Sequence, residues 1–283
     1  MPKINWYPGH MAKSRRLLQD QLKAVDAVIE LCDARAPMAT RNPDLENLTR
    51  SKARILILNK ADLADDQETA RWVEHFRQKG LTAMRFNSNG GKTKEILAKI
   101  EQATKPAVER AAKRGVKKTV RLMVIGIPNV GKSTFINRLH GSGIVKAGDR
   151  PGVTRSNQWV KIGPYLELLD TPGMLPPRMD DQNGARLLAY LGSIRDQIMD
   201  TEELAGQLLM HLMELRPEPV RARFKLPEDA DLSDPQLAIE AACRSRGWLI
   251  SGGRPDPDRG SALVLDEFRA GKVGKVSIQQ VGK

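Results

Sequence analysis

The residues best suited to chemistry in this 283-residue chain form a short loop, GIPNVGKS, at positions 126–133. The loop fits the pattern G-x-x-x-x-G-K-[S/T], whose glycines let backbone N–H groups surround a phosphate chain. Lys132 would place its charge on the β- and γ-phosphates, and the Ser133 hydroxyl would complete a set of Mg²⁺ ligands. The loop therefore predicts binding of a nucleoside triphosphate.

The flanking sequence supplies the strand and the helix that such a loop requires. Residues 120–125 are apolar and rich in β-branched side chains, which predicts a buried strand, and residues 134–139 begin a helical pattern. A strand, a loop and a helix N-terminus aim backbone N–H groups and the positive end of a helix dipole at one point. The predicted phosphate-binding residues of this loop are Asn129, Val130, Gly131, Lys132, Ser133 and Thr134.

A second group of residues can recognise a guanine base. The sequence N-K-A-D at positions 59–62 follows a predicted strand and matches N-K-x-D. The Asp62 carboxylate can accept hydrogen bonds from the N1–H and the exocyclic amine of guanine, whereas adenine would leave this charge unpaired. Asn59 can bond the other edge of the base, and the Lys60 stem can cover the ring. The turn at Asn87 and Ser88 can donate a backbone N–H to the guanine carbonyl.

The residues after the phosphate loop predict how a γ-phosphate and Mg²⁺ would be bound. Residues 144–155 are glycine-rich and irregular, and Thr154 is their best candidate to reach the metal and the γ-phosphate. Two short strands follow, and the second delivers the D-x-x-G sequence at positions 170–173. Asp170 would hold Mg²⁺ through water, and the Gly173 N–H would contact the γ-phosphate.

Composition narrows the class of protein and of partner. The net charge of +12 favours a polyanionic partner such as nucleic acid, although a merely soluble basic surface is the alternative. Residues 1–177 carry 31 basic and 17 acidic side chains, whereas residues 178–283 carry 15 and 17, so the positive charge belongs to the nucleotide-binding part. A basic segment at about residues 105–119 is the predicted linker, either solvated or contacting RNA phosphates.

The two cysteines, Cys32 and Cys243, are far apart and lack metal-ligand spacing, which favours a reducing compartment. The chain shows neither an apolar run of membrane-spanning length nor the apolar segment of a signal peptide. We therefore expect a cytoplasmic protein with no membrane partner.

The order of the motifs is unusual, because the base-recognition motif precedes the phosphate loop and D-x-x-G. This is the order of a circularly permuted GTPase. The chain most closely resembles the large-subunit ribosome-biogenesis GTPases, the family of ribosome biogenesis GTPase A. The resemblance covers residues 4–178 with specific motifs: Pro8-Gly9-His10-Met11, Asp33-Ala34-Arg35, Asn59-Lys60-Ala61-Asp62, residues 126–133, Gly152-Val153-Thr154 and Asp170-Thr171-Pro172-Gly173.

The fold expected from this resemblance is α/β. A circularly permuted P-loop GTPase domain with a doubly wound, mostly parallel sheet would occupy residues 1–177. A smaller, all-helical C-terminal domain would occupy residues 178–283, where leucines recur at helical spacing and Pro217 and Pro219 interrupt the pattern. In the family this domain contacts ribosomal RNA, which its slightly negative charge makes less obvious here.

The resemblance also implies roles for residues that the motifs leave open. Met174 stands where Ras-like GTPases have a water-orienting Gln, so we expect slow intrinsic hydrolysis. His10 is then the candidate to position water or act as a general base; a surface or capping role is the alternative. Asn129 resembles the position that coordinates K⁺ in related GTPases.

Three functions are compatible with these sequence features. The first is a GTP-hydrolysing factor for a late step of large ribosomal subunit assembly, activated by the pre-ribosomal particle and using GTP/GDP, Mg²⁺ and K⁺. Its partners would be the large subunit or its precursor and ribosomal RNA, with no DNA expected. The second is a nucleotide-gated RNA-binding module whose hydrolysis is incidental. The third is a small-molecule kinase, which the N-K-x-D sequence disfavours.

Overall fold

The computed structural model describes residues 10–145, 158–175, 181–194 and 200–282. Six strands form one sheet in the order β3-β2-β1-β4-β6-β5. Their bounds are β1 Ala27–Asp33, β2 Ala53–Asn59, β3 Thr82–Arg85, β4 Val120–Ile125, β5 Gln158–Gly163 and β6 Leu166–Asp170. The predicted α/β class with a mostly parallel sheet is confirmed, because every pair is parallel except β5 with β6.

The parallel strands place their carboxyl ends at one edge of the sheet, where open α/β sheets bind ligands. β1 is buried at all seven positions, which explains its nearly continuous apolar sequence. It pairs with β2 on one side and β4 on the other. The motifs that follow β1, β2, β3, β4 and β6 consequently meet at this edge, although they are far apart in the chain.

Ten helices lie in the described part of the chain, and none of them is long and apolar enough to cross a membrane. They are α1 His10–Leu22, α2 Pro43–Thr49, α3 Asp66–Gln78, α4 Lys94–Ala112, α5 Lys132–His140, α6 Gln182–Tyr190, α7 Thr201–Leu215, α8 Pro217–Phe224, α9 Pro235–Arg246 and α10 Pro257–Arg269. The last five form the expected helical region and share an apolar core.

One proline-based prediction was wrong, and a second holds only in part. The basic segment from Lys105 is not a linker at its start, because α4 continues through an exposed Pro106 to Ala112. Proline removes one backbone hydrogen bond, and the helix tolerates this loss where water can reach the freed carbonyl. Pro217 does interrupt the helical pattern, because α7 ends at Leu215 and Arg216 is not helical. The interruption is short, however, since Pro217 begins α8, which also contains Pro219, and the first turn of a helix does not need the missing N–H.

After α10 the chain returns to the sheet-containing part. We call residues 271–282 the C-terminal segment. Val273, Val276 and Ile278 are buried with the core of the helical region, and Val281 packs on the cluster that contains Trp72. The end of the chain therefore lies against the same structural unit that contains β1 and β2.

Candidate nucleotide-binding site

The phosphate loop (residues 126–133) connects β4 to α5 in a conformation that requires glycine at two positions. Gly126 and Gly131 have φ angles of 152° and 92°. A Cβ atom on Gly126 would lie 2.6 Å from the Leu31 carbonyl oxygen, and one on Gly131 would lie 2.5 Å from the Asn59 amide nitrogen. Both neighbours therefore exclude a side chain, and the loop is fitted to β1 and β2 at close range.

Lys132 is the first residue of α5, and its buried ammonium group folds over the loop. Its Nζ donates to the carbonyl oxygens of Ile127 at 2.8 Å and Gly126 at 3.2 Å. Burial lowers the pKa of Lys132 to about 8, against the opposing effect of the Asp170 carboxylate. The ammonium group is thus held at the phosphate loop in a site that an anionic ligand would stabilise.

Ser133 and Asp170 form the part of the site that suits Mg²⁺. The Ser133 hydroxyl donates to Asp170 Oδ2 at 2.9 Å, while Asp170 Oδ1 is buried and has no hydrogen-bond partner among the described residues. Burial raises the pKa of Asp170, and the Ser133 hydrogen bond and the Lys132 charge partly oppose this. A hydroxyl and a carboxylate are oxygen donors that fit Mg²⁺. Thr154, the third predicted ligand, lies outside the described residues.

The D-x-x-G segment is in close contact with the phosphate loop. A Cβ atom on Gly173 would lie 2.5 Å from the Pro128 nitrogen, and the Met174 N–H donates to the Gly126 carbonyl at 3.2 Å. The Met174 side chain packs on an apolar cluster that includes Leu18 of α1. The residue after Gly173 is therefore part of the packing between the sheet and α1.

α1 begins at His10, whose side chain lies outside the described part of the structure. The packing of Met174 joins this helix to the D-x-x-G segment, but it does not test whether the His10 ring reaches a γ-phosphate. The catalytic role of His10 stays a prediction.

Asn59 holds the two halves of the site together. Its side-chain nitrogen donates to the Val130 carbonyl at 2.8 Å, and its Oδ1 accepts from the Ser88 hydroxyl at 2.7 Å and the Ser88 N–H at 3.2 Å. Asn87 shapes the same turn, since its Oδ1 accepts from the Asn89 N–H at 2.8 Å. The phosphate loop and the turn at Asn87 and Ser88 are thus both hydrogen-bonded to the side-chain amide of Asn59 at the end of β2.

Asp62 and Lys60 occupy the positions from which a base would be recognised. Asp62 Oδ1 is buried without a hydrogen-bond partner in the described structure. Lys60 has a φ of 57°, and its Nζ contacts the Asn129 carbonyl at 2.6 Å and Asp33 Oδ2 at 3.3 Å. The Lys60 stem consequently runs from the N-K-x-D loop to the phosphate loop.

The site includes an ion pair whose role the sequence did not indicate. Arg35 contacts Asp33 through two nitrogens at 2.8 and 3.0 Å, and both side chains are about 2% exposed. Burial alone raises the pKa of Asp33, but Arg35 and Lys60 hold it well below the usual value of a carboxyl group. The D-A-R sequence contains both residues, but it did not reveal that they form a buried ion pair.

Asn129 connects the phosphate loop with the helical region. Its side-chain nitrogen donates to the Gly192 carbonyl at 2.6 Å, just beyond the end of α6. K⁺ would be bound through an amide oxygen, which is the acceptor atom of an asparagine side chain. The observed contact orients the side chain and leaves the K⁺ prediction untested.

Comparisons with known proteins agree on one family. A family model described as 50S ribosome-binding GTPase matches residues 121–231. Ribosome biogenesis GTPase A of Bacillus cereus is 42% identical over 278 residues, covering 98% of this chain and 93% of that protein.

Two solved structures also match nearly the whole chain. GDP-bound TM YlqF matches with a TM-score of 0.69 at 28% identity, over 95% of this chain and 100% of the other. GNP-bound YlqF from T. maritima matches with a TM-score of 0.65 at 28% identity, over 95% and 98% of the two chains.

Proposed function

Because the chain belongs to the ribosome biogenesis GTPase A family and is a GTPase, we propose that it hydrolyses GTP at a late step of large ribosomal subunit assembly. Hydrolysis would be activated by the pre-ribosomal particle and would accompany release of the factor. The protein would act in the cytoplasm, with neither a membrane nor DNA as partner. Residues 1–177 would form the GTPase domain and residues 178–283 the helical domain.

The observation that carries the choice of guanine is the buried, unpartnered Oδ1 of Asp62. An acceptor in this state costs free energy unless a ligand donates to it. The N1–H and the exocyclic amine of guanine supply two such donors. Lys60 would cover the ring, Asn87 and Ser88 would border the base, and Asn59 would hold these elements in register.

The geometry of the phosphate loop supports the predicted phosphate-binding residues. Lys132, Ser133, Thr134 and the backbone N–H groups of residues 129–131 would contact phosphates, together with the Gly173 N–H. Ser133, Asp170 and Thr154 would hold Mg²⁺, and Asn129 would be a ligand of K⁺. These cations would neutralise charge that develops on the phosphates.

The sequence at D-x-x-G supports slow hydrolysis away from the ribosome. Met174 is engaged in apolar packing, and a thioether cannot orient an attacking water as a glutamine does. We propose that His10 supplies this function when the particle completes the site.

Exposed basic and aromatic residues of the GTPase part support contact with ribosomal RNA. Arg121 lies over the Trp159 ring at 5.4 Å, and Tyr165, between β5 and β6, is more than half exposed. Further exposed basic residues lie on β5 and around the end of α4: Lys161, Arg110, Lys113, Arg114 and Lys117. Cations bind phosphates, and exposed rings can stack on unpaired bases. These residues equally favour the second candidate, an RNA-binding module with incidental hydrolysis.

The deciding experiment is GTP turnover in K⁺ and in Na⁺, with and without purified large ribosomal subunits. We expect slow basal turnover that rises in K⁺ and rises strongly with the subunit. His10→Ala should lose the stimulated turnover and retain GDP binding. Turnover indifferent to the subunit would instead favour the RNA-binding module.

A further inference from the structure

Residues 60–65 form the loop that contains Asp62, the Asp62 loop, and hydrogen bonds hold this loop on two sides. On the inner side, the Ala61 N–H donates to the Phe86 carbonyl at 3.0 Å, and Lys60 reaches the phosphate loop. On the outer side, the Val276 N–H of the C-terminal segment donates to the Leu63 carbonyl at 3.0 Å. Asp62 thus lies between a contact within the GTPase part and a contact from the end of the chain.

Further contacts fix the C-terminal segment to the same loop. The Asp65 N–H donates to the Ser277 hydroxyl at 3.2 Å. Gly271 has a φ of 72°, and a Cβ atom at this position would lie 2.5 Å from Leu63 Cδ2. The segment therefore meets the loop at Leu63 and Asp65, on the carboxyl-terminal side of Asp62.

The C-terminal segment is itself anchored away from this loop. Val276 and Ile278 are 2% and 4% exposed in the core of the helical region. The Ile278 N–H donates to the Arg35 carbonyl at 2.9 Å. The segment can therefore transmit a constraint from the helical region and β1 to the Asp62 loop.

We propose that Val276 and Ser277 are positioning residues for Asp62, so that selection of guanine depends on docking of the C-terminal segment. This inference rests on the proposed guanine site. Two hydrogen bonds to one carboxylate demand a fixed position of that carboxylate, because the energy of a hydrogen bond falls steeply with distance and angle. Releasing the outer contacts would leave the loop in place through Ala61 but would widen the range of positions that Asp62 samples.

Docking and guanine binding would also reinforce each other. If the docked segment strengthens guanine binding, bound guanine must stabilise docking by the same factor. A partner that moves the helical region away from the sheet would then lower the affinity for GDP.

The test compares GDP with inosine diphosphate, which lacks only the exocyclic amine. Dissociation constants of both are measured on the full chain for the wild type, Asp62→Asn, Val276→Pro, Ser277→Ala and Gln279→Ala. Val276→Pro removes the N–H donor to Leu63, and Ser277→Ala removes the acceptor for Asp65. Gln279→Ala is the matched control: Gln279 Oε1 accepts from the Met38 and Ala39 N–H groups at 2.8 and 3.1 Å, away from the Asp62 loop, and the Ile278 bond to Arg35 holds the segment in its absence.

We expect the wild type to prefer GDP by about tenfold or more, the effect of a hydrogen bond to a charged group. Asp62→Asn should abolish this preference, and Val276→Pro and Ser277→Ala should lower it at least about threefold by the same reasoning, whereas Gln279→Ala should retain it. A merely structural contact would weaken binding of both nucleotides equally. GDP should also slow hydrogen exchange of the Val276 amide more than inosine diphosphate does.

Two results would overturn the proposal in distinguishable ways. If Val276→Pro and Ser277→Ala keep the wild-type ratio while Asp62→Asn abolishes it, the guanine site stands and the positioning role fails. If the wild type binds both nucleotides equally, the guanine site itself is wrong and the positioning role fails with it.

Discussion

The residues of the nucleotide site keep charged groups buried at a cost in stability. Lys132 and Asp170 are nearly inaccessible to solvent. Burial lowers the pKa of Lys132 and raises the pKa of Asp170, so it favours the neutral form of both groups. Asp170 Oδ1 also lacks a partner in the described structure. A bound anion would compensate Lys132 and a bound cation would compensate Asp170, so ligand binding would stabilise the folded protein.

The pKa of Lys132 gives a prediction for GDP binding at alkaline pH. With a pKa of about 8, Lys132 is largely charged at pH 7 and largely neutral at pH 9. Bound phosphates stabilise the ammonium form and raise its pKa, so binding at about pH 8.5 should take up a proton. GDP affinity should accordingly fall as the pH rises through 8.

Calorimetry in two buffers of different ionisation enthalpy measures this proton uptake. Lys132→Arg is the control, because arginine remains charged over this range. The same uptake in the arginine variant would assign the proton to another group.

At the scale of elements, α4 shows how a helix accommodates a proline. Pro106 lies inside the 19-residue helix, and the stretch that follows contains Arg110 and Lys113. The amino-terminal half is fixed by the buried Ile96 and Ile100, whereas the side chains of residues 105–112 are exposed or partly exposed. The helix therefore projects its basic end into solvent at a small loss of backbone hydrogen bonding.

Replacement of Pro106 tests this account of α4. Pro106→Ala should raise the free energy of unfolding by about 1–3 kcal/mol, because alanine restores the missing N–H and relieves the clash with the preceding turn. Pro217→Ala is the matched control: Pro217 stands in the first turn of α8, where no intrahelical hydrogen bond is missing. Urea unfolding of both variants measures the difference, and equal effects would refute the explanation.

At the scale of the molecule, Arg35 joins β1 to α10. Its guanidinium group pairs with Asp33, donates to the Phe268 and Arg269 carbonyls at 3.3 Å, and lies over the Phe268 ring at 5.1 Å. One buried cation thus satisfies a carboxylate of the nucleotide site and the last carbonyls of a helix in the other region. This arrangement couples the stability of the two regions.

Removal of this cation should be costly. Arg35→Met should lower the free energy of unfolding by about 3–5 kcal/mol, because it leaves Asp33 buried with Lys60 as its remaining cation. Arg223→Met is the control: its ion pair with Glu267 is more exposed, with 31% of the arginine side chain accessible, so its loss should cost about 1 kcal/mol or less.

The loss caused by Arg35→Met should depend on pH. In the wild type the folded-state pKa of Asp33 lies below its ordinary value, so this group contributes stability above about pH 4 and loses it as the pH falls further. The variant lacks much of that contribution. The difference in the free energy of unfolding between the wild type and the variant should be largest near neutral pH and should become smaller below about pH 4. A difference that stays constant with pH in unfolding titrations would contradict this assignment.

The α/β class, the order of the motifs and their attachment to strand ends could all be predicted before the structure was known. These features follow from local patterns: the phosphate loop needs glycines at fixed spacing, and the strands of a parallel sheet are apolar throughout. The limits of α4 and α8 could not be obtained in this way, because the effect of a proline depends on its position within a turn and on its access to water.

Contacts between residues far apart in the chain could be seen only in the folded structure. The bonds from Asn59 to Val130 and Ser88, from Arg35 to α10, and from Val276 to Leu63 join residues separated by 29 to 234 positions. The side chains in these contacts belong to common residue types, and the backbone groups involved carry no sequence signal at all. Such contacts arise from the order of strands in the sheet and from the return of the chain end, which local spacing does not encode.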